Sequence, residues 1–359
     1  MLKPLLSIIC RHHRFTTLTG MLAAMLIPIT AAAEGSGEYW TDKQFSSGQF
    51  MYEIIPDDDT DVARLVEPVP GTASGMTDAV VPEAVEYGGK RYPVTYIAHY
   101  VFSGMPALRS VSLPSSVRNM DCNFIECPVL EEVKMPEGIT GPFMELFVSC
   151  PALRSQPLPA SVKSVGNCVF SDCGLTELVV DDQTYFGMDC VCNMPELASI
   201  TFKGHTGFDE NSFCNLPLLK KLDLTSTGIQ IIQPGVFSIC PALEELYLPA
   251  GDELMIFDDA FIGCPALKAV YCPQAVPPTV KKYDPWSDRP VEFGGPTGAE
   301  GSIDKDRCVL YVPAGSAEAY RAAPQWNAFT QIVETDFASV EAPAADTSGT
   351  ADAPVEFYD

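Results

Sequence analysis

Phe237-Ser-Ile-Cys-Pro-Ala-Leu-Glu-Glu-Leu-Tyr-Leu-Pro249 is followed 24 residues on by Phe261-Ile-Gly-Cys-Pro-Ala-Leu-Lys-Ala-Val-Tyr-Cys-Pro273. Both stretches run from an anchoring ring to a Cys three residues later, then Pro, then Leu two further on. An apolar–x–apolar pair closed by Pro completes the unit. Working outward, the pattern occurs eight times, with anchors at Phe102, Phe124, Phe147, Phe170, Val191, Phe213, Phe237 and Phe261. The spacings are 22, 23, 23, 21, 22, 24 and 24 residues. The fourth copy is one residue short and has Gly174 in place of Pro, and the fifth replaces the ring with Val191. Eight copies in phase exclude a chance pattern.

A period in the low twenties suits one short strand and a tight return, the unit of a leucine-rich repeat. Leu243, Leu246 and Leu248 of one copy, and Leu219, Leu222 and Leu224 of another, face inward on this reading. A single unit cannot bury them, so units stack, with strands side by side at about 4.8 Å. Pro after the strand has no N–H to extend the ladder and turns the chain away. The expected fold is a leucine-rich-repeat solenoid. A parallel sheet of short strands forms its concave face, irregular turns form the convex face, and the Phe anchors make a second buried column beneath those turns.

The run IxxxxFxxCPxLxxVxLP resembles the BspA-like class of leucine-rich repeats, found on surface proteins of Gram-negative anaerobes and some protist parasites. The leading segment VVPEAVEYGGKRYPVTYIAHYVF at 80–102 is similar to that class, and reads as a hairpin around Gly88-Gly89. The closing segment CVLYVPAGSAEAYRAAPQWNAFTQIVE at 308–334 is similar too. It reads as a last strand and a capping helix, with Tyr320, Trp326 and Phe329 closing the core. The resulting division is a signal peptide over 1–33, a β-rich cap over 34–95 and repeats over 96–273. A Pro/Gly-rich insertion, last strand and helix occupy 274–334, and an acidic linker 335–359. The final APVEFYD resembles the start of a type IX secretion sorting segment, which implies a longer parent chain.

The signal reading rests on Arg11 and Arg14 before a mostly apolar run from Phe15 to Ile29, with Ala31-Ala32-Ala33 offering a cleavage point. That run is shorter than the roughly 20 residues that span a bilayer. The formal charge of −25 becomes −28 once Lys3, Arg11 and Arg14 leave (−25 minus 3). A field of that sign repels phosphate backbones and excludes nucleic-acid binding.

Catalytic chemistry finds few carriers. Of four histidines, only His99 and His205 lie beyond the signal, in separate repeats. A nucleophile–base pair needs hydrogen-bond contact, so no enzyme is expected. Cys127, Cys150, Cys173, Cys240 and Cys264 occupy one repeat position, which makes a ladder of small buried thiols. Neighbouring rungs also lie within disulfide reach, so bridges such as Cys127–Cys150 or Cys240–Cys264 stay open. Cys190-Val-Cys192 lacks a second CxxC-type pair, so no metal is expected there. Asp57 to Asp61 lacks the Gly and terminal Glu of a calcium loop. Glu131-Glu132 and Glu244-Glu245 sit on exposed strand positions where nothing raises a carboxyl pKa. No phosphate-cradling glycine motif occurs, and no cofactor is expected.

Strand alternation leaves two outward columns on the sheet. One holds Ser110, Glu132, Ser155, Glu177, Ser199, Lys221, Glu245 and Ala269. The other holds Ser112, Lys134, Pro157, Val179, Thr201, Asp223, Tyr247 and Tyr271, with Tyr311 to follow. Tyr247, Tyr271 and Tyr311 form the candidate binding strip, flanked by Lys221, Asp223 and Glu245. Tyrosine brings contact area and a hydroxyl at low entropic cost, although a cross-strand stack serving only the sheet is an alternative. The resemblance implies a secreted or cell-surface, adhesion-type module whose partner is a host or matrix protein. A structural envelope component and a glycan-binding surface protein are the alternatives.

Overall fold

The fold is described from a computed structural model over residues 44–338, apart from 58, 59, 284, 285, 287–289 and 299. The signal segment and residues 339–359, which include APVEFYD, lie outside the described residues; the strand Gln331–Thr335 takes in the first residue of the expected linker.

Strands Gln44–Ser47, Phe50–Asp57 and Thr60–Pro68 form an antiparallel meander, to which Lys90–Ile97 adds in parallel. Ala84–Tyr87 pairs with Lys90–Ile97 as a hairpin. Its two-residue loop is Gly88-Gly89, with φ of 58° and 76°, the left-handed pair that such a tight turn demands. This sheet covers the first rung, where the Phe50 ring meets Phe102 edge-on at 5.8 Å.

Beyond the cap, the chain winds as a parallel β-solenoid with three ladders. The front ladder has three sections: Asp78–Val80, Ser110–Ser112 and Glu132–Lys134; then Glu177–Val180 and Ser199–Phe202; then Lys221–Asp223, Glu245–Tyr247, Ala269–Tyr271, Val309–Pro313 and Gln331–Thr335. The first interruption falls on Ser155-Gln156-Pro157-Leu158-Pro159, where two prolines remove the N–H groups a ladder needs. Ser155 and Pro157 therefore stand outside any strand.

The convex side is more regular than a set of turns. Phe124–Ile125, Phe147–Val148, Phe170–Ser171, Val191–Cys192 and Phe213–Cys214 pair in register as a back ladder. Third-face ladders run through Ser164–Val165, Thr184–Phe186 and Thr206–Phe208, and through Ile231–Ile232, Met255–Phe257 and Thr279–Lys281.

Each back strand is bracketed by left-handed residues. Two places before the anchor stand Tyr100, Cys122, Glu145, Cys168, Asp189 and Asn211, with φ between 47° and 64°. Two places after it stand Glu126, Ser149, Asp172, Asn193, Asn215 and Ile239, with φ between 53° and 57°. A non-glycine residue there costs on the order of 1–2 kcal/mol. Inter-rung hydrogen bonds offset this: Cys122 N–H donates to the Met144 carbonyl at 2.8 Å, and Ile239 N–H to that of Ile262 at 2.7 Å.

In-register pairing lays the anchor rings face to face. Phe102, Phe124, Phe147 and Phe170 stack at 5.0–5.5 Å within 8° of parallel, and Phe213, Phe237 and Phe261 at 5.5 and 6.0 Å. Val191 breaks the column. Phe186 and Phe208, from the third face, close on Phe213 at 4.9 and 5.3 Å and take up the space. At the far end Phe261 meets Phe293, which stacks on Trp326 at 4.7 Å. Helix Ala317–Ala322 presents Tyr320 to the same cluster, and Tyr320, Trp326 and Phe329 are buried.

Phe147 lies mid-column with a ring on each face, so Phe147→Ala should cost about 3–5 kcal/mol in denaturant unfolding.

Asp259 offers a second test. Burial, with Asp258 beside it, pushes its carboxyl up to about 6, and its Oδ1 lacks a hydrogen-bond partner. The folded chain thus holds a proton that the unfolded chain, titrating near 3.9, has released. Stability falls as pH rises from about 4 to 6, and the penalty stays in full above that. Asp259→Asn should raise stability by about 1–2 kcal/mol at pH 7.5 and hardly at all at pH 4, as read from thermal melts at the two values.

Candidate functional site

The third section of the front ladder sets Asp223, Tyr247, Tyr271, Tyr311 and Val333 in one row, and Lys221, Glu245, Ala269, Val309 and Gln331 in the next. In-register parallel strands put like positions side by side, so the tyrosines stack. Tyr247 and Tyr271 lie 4.2 Å apart at 5°, Tyr271 and Tyr311 4.6 Å apart at 7°. Lys221 Nζ stands 4.7 Å from the Tyr247 centroid on the other side, which supplies a cation–π contact.

This arrangement corrects the expectation of three exposed rings. Tyr247 is only 5% exposed, since Lys221 and Tyr271 cover its two faces and its hydroxyl donates to Glu245 Oε2 at 3.2 Å. Burial, then the Glu245 carboxylate, pushes its phenol well above the ordinary range. Tyr271 and Tyr311 are half-buried, and Val333 is 45% exposed. The Asp223 carboxylate accepts from the backbone N–H and hydroxyl of Thr225 at 3.0 and 2.6 Å, which ties it to its own turn. What faces outward is a row of ring edges and hydroxyls ending in an aliphatic residue. Strand Gln331–Thr335, which carries Val333, was hidden behind the helix signal.

The carboxylates weighed for acid–base chemistry pair across rungs instead. Glu131 meets Arg109 at 2.6 Å, and Glu244 meets Lys268 at 2.7 Å. The Lys268 bond and charge hold Glu244 below the usual carboxylate range. His205 Nδ1 lies 3.6 Å from Asp182 on an exposed turn, and His99 meets the Tyr100 ring edge-on at 6.2 Å.

The thiol ladder acts as an inter-rung bond. Cys127 Sγ donates to the carbonyl of Phe102, the preceding anchor, at 2.8 Å; Cys150 reaches Phe124 at 3.1 Å and Cys173 reaches Phe147 at 3.3 Å. All twelve cysteines among the described residues are unbridged, and Cys168 and Cys214 are the two that are not buried.

Two further features were missed. Where the front ladder is interrupted, an open depression of about 300 Å³ is lined by Ser155, Gln156, Glu177, Val179, Asp181 and Lys203. On the back ladder, ligand atoms of Asp189, Cys192 and Cys214 lie within 4.8 Å of one another. The available signal was register: Cys192 and Cys214 each follow an anchor by one residue.

A model of the BspA type leucine rich repeat region, in six copies, matches residues 91–194 and 180–279. The chain belongs to this family. No curated protein matches it. Among solved structures, it is similar to a leucine-rich repeat protein from Bacteroides ovatus, at 17% identity over 77% of this chain and 80% of that one, TM-score 0.41. A leucine-rich cell surface protein from Faecalibacterium prausnitzii is 15% identical over 68% and 96%, TM-score 0.26. The pneumococcal vaccine antigen PcpA is 11% identical over 82% and 99%, TM-score 0.30. Likenesses this remote carry no functional argument.

A stacked aromatic pair contributes about 0.5–1.5 kcal/mol beyond its buried area. Tyr247→Ser loses a stack, the cation contact and a buried side chain, whereas Tyr311→Ser loses one stack. Thermal melts should show a midpoint drop at least twice as large for the first variant.

Proposed function

We propose that this chain is a secreted or surface-displayed, non-catalytic binding module that takes a protein partner on the C-terminal section of its front sheet. The observation that carries the reading is the row Tyr271, Tyr311 and Val333. It combines ring edges, hydroxyls and an exposed aliphatic side chain on rigid adjacent strands, with Glu245 and Lys221 beside it. Family membership supports a repeat-based binding role. The anionic balance favours a partner presenting basic or neutral polar groups. Among the described residues no helix is long and apolar enough to cross a membrane, and the basic–apolar–Ala pattern at 1–33 supports export.

Ring packing favours polypeptide over glycan. A sugar stacks on an open aromatic face, and both faces of Tyr271 and one of Tyr311 are taken up by neighbouring rings at 4.2 and 4.6 Å. Edges and phenol hydroxyls suit polypeptide better.

The test presents the full chain to an immobilised panel of extracellular-matrix proteins and glycans. Binding to a protein is expected, weakened at least about tenfold by Tyr311→Ser with Val333→Ser, with the fold retained by circular dichroism. Binding to sugars alone, or protein binding indifferent to both substitutions, would overturn the assignment.

A further inference from the structure

Between the rung anchored by Val191 and the rung anchored by Phe213 two of the three ladders are interrupted at once. The front ladder stops at Ser199–Phe202 and resumes at Lys221–Asp223; the third-face ladder stops at Thr206–Phe208 and resumes at Ile231–Ile232. Only the back ladder continues as strands, through the pairs Val191 with Phe213 and Cys192 with Cys214. The anchor column also lacks its ring here.

Two thiols and a carboxylate converge on that surviving ladder. Cys192 and Cys214 each follow an inward anchor, so both project to its outer side, in register on neighbouring strands. Asp189, left-handed at φ 52°, brings its carboxylate to the same point. The three ligand atoms lie within 4.8 Å of one another. Cys192 is buried and Cys214 is half-exposed, which leaves a solvent approach from the Cys214 side.

Spacing separates an ion from a disulfide. In-register neighbours on parallel strands stand about 4.7–4.9 Å apart with their Cβ bonds parallel. A disulfide wants Cβ atoms about 3.5–4.5 Å apart and sulfurs at about 2.05 Å, which would pinch rungs that backbone bonds hold open. A tetrahedral ion with bonds of about 2.3 Å to sulfur holds two sulfurs about 3.8 Å apart, which small side-chain rotations reach. Thiolate donors with one carboxylate match a borderline-soft ion rather than calcium or magnesium. The chain's net charge of −25 concentrates cations at its surface.

We propose that Asp189, Cys192 and Cys214 bind a thiophilic divalent cation of the zinc class and staple these two rungs together. Binding exchanges two S–H protons for two metal–sulfur bonds; both protons pass to solvent, and no electron is transferred. Cys192 gives up the hydrogen bond it donates to the Asn211 carbonyl at 3.1 Å. A water fills the fourth position. Because both thiols must lose their protons to bind, uptake strengthens as pH rises.

Cobalt(II) is the probe, added to reduced, metal-free full chain and then displaced with zinc(II). One equivalent of cobalt should give a thiolate-to-cobalt charge-transfer band that zinc abolishes, and zinc should raise the thermal midpoint. Cys214→Ser, at a half-exposed position, should lose the band, and Asp189→Asn should weaken uptake at least about tenfold. Both should melt like the parent in chelator, which separates loss of the site from loss of the fold. Cys240→Ser, in the thiol ladder, should bind like the parent. Absence of the band in the reduced parent, its persistence in Cys214→Ser, or its loss in a well-folded Cys240→Ser would overturn the proposal.

Discussion

Successive rungs meet in register, and every other feature depends on that constraint. Backbone bonding sets neighbouring strands about 4.8 Å apart, which lets equal residues at equal positions touch. Rings then stack on rings, thiols reach the carbonyl of the previous anchor, and carboxylates find the amines one rung away. A solenoid of this kind is a sum of rung energies and nearest-neighbour couplings, and the anchor rings supply a large part of each coupling. The left-handed residues beside each anchor are the cost of bending the chain sharply enough to bring the next ring into place.

The fold was legible because the repeat states one local rule eight times. The anchors, the inward leucines, the hairpin at Gly88-Gly89 and the aromatic closure at Tyr320, Trp326 and Phe329 all stand where the pattern puts them. The back and third-face ladders were not legible. Strands of two or three residues carry no measurable alternation, and their left-handed brackets fall on Glu, Ser, Cys and Ile as readily as on Asn or Gly. Strand Gln331–Thr335 was masked because its residues follow a helix signal and precede an acidic tail.

The candidate surface was legible in register and not in exposure. Alternation assigns Tyr247 to the outward row correctly, yet outward is not accessible when Lys221 covers one face and Tyr271 the other. A two-state in-or-out pattern cannot express that, because lateral neighbours along the ladder remove solvent as effectively as the core does. The same lateral logic joins Cys192 to Cys214 across 22 residues of sequence, beyond any short spacing motif.

The three ladders overlap like staggered joints in masonry. The back ladder spans the rungs from Phe124 to Phe213, across both stretches where the front ladder is interrupted. It ends at the rung where the front and third-face ladders resume together at Lys221 and Ile231. No cut between neighbouring rungs from Phe102 to Phe261 passes through a seam in every course at once, so a pull along the axis is handed from one face to another. For a protein anchored at one end and loaded at the other, that staggering spreads tension over the whole wall instead of letting it find a single mortar line.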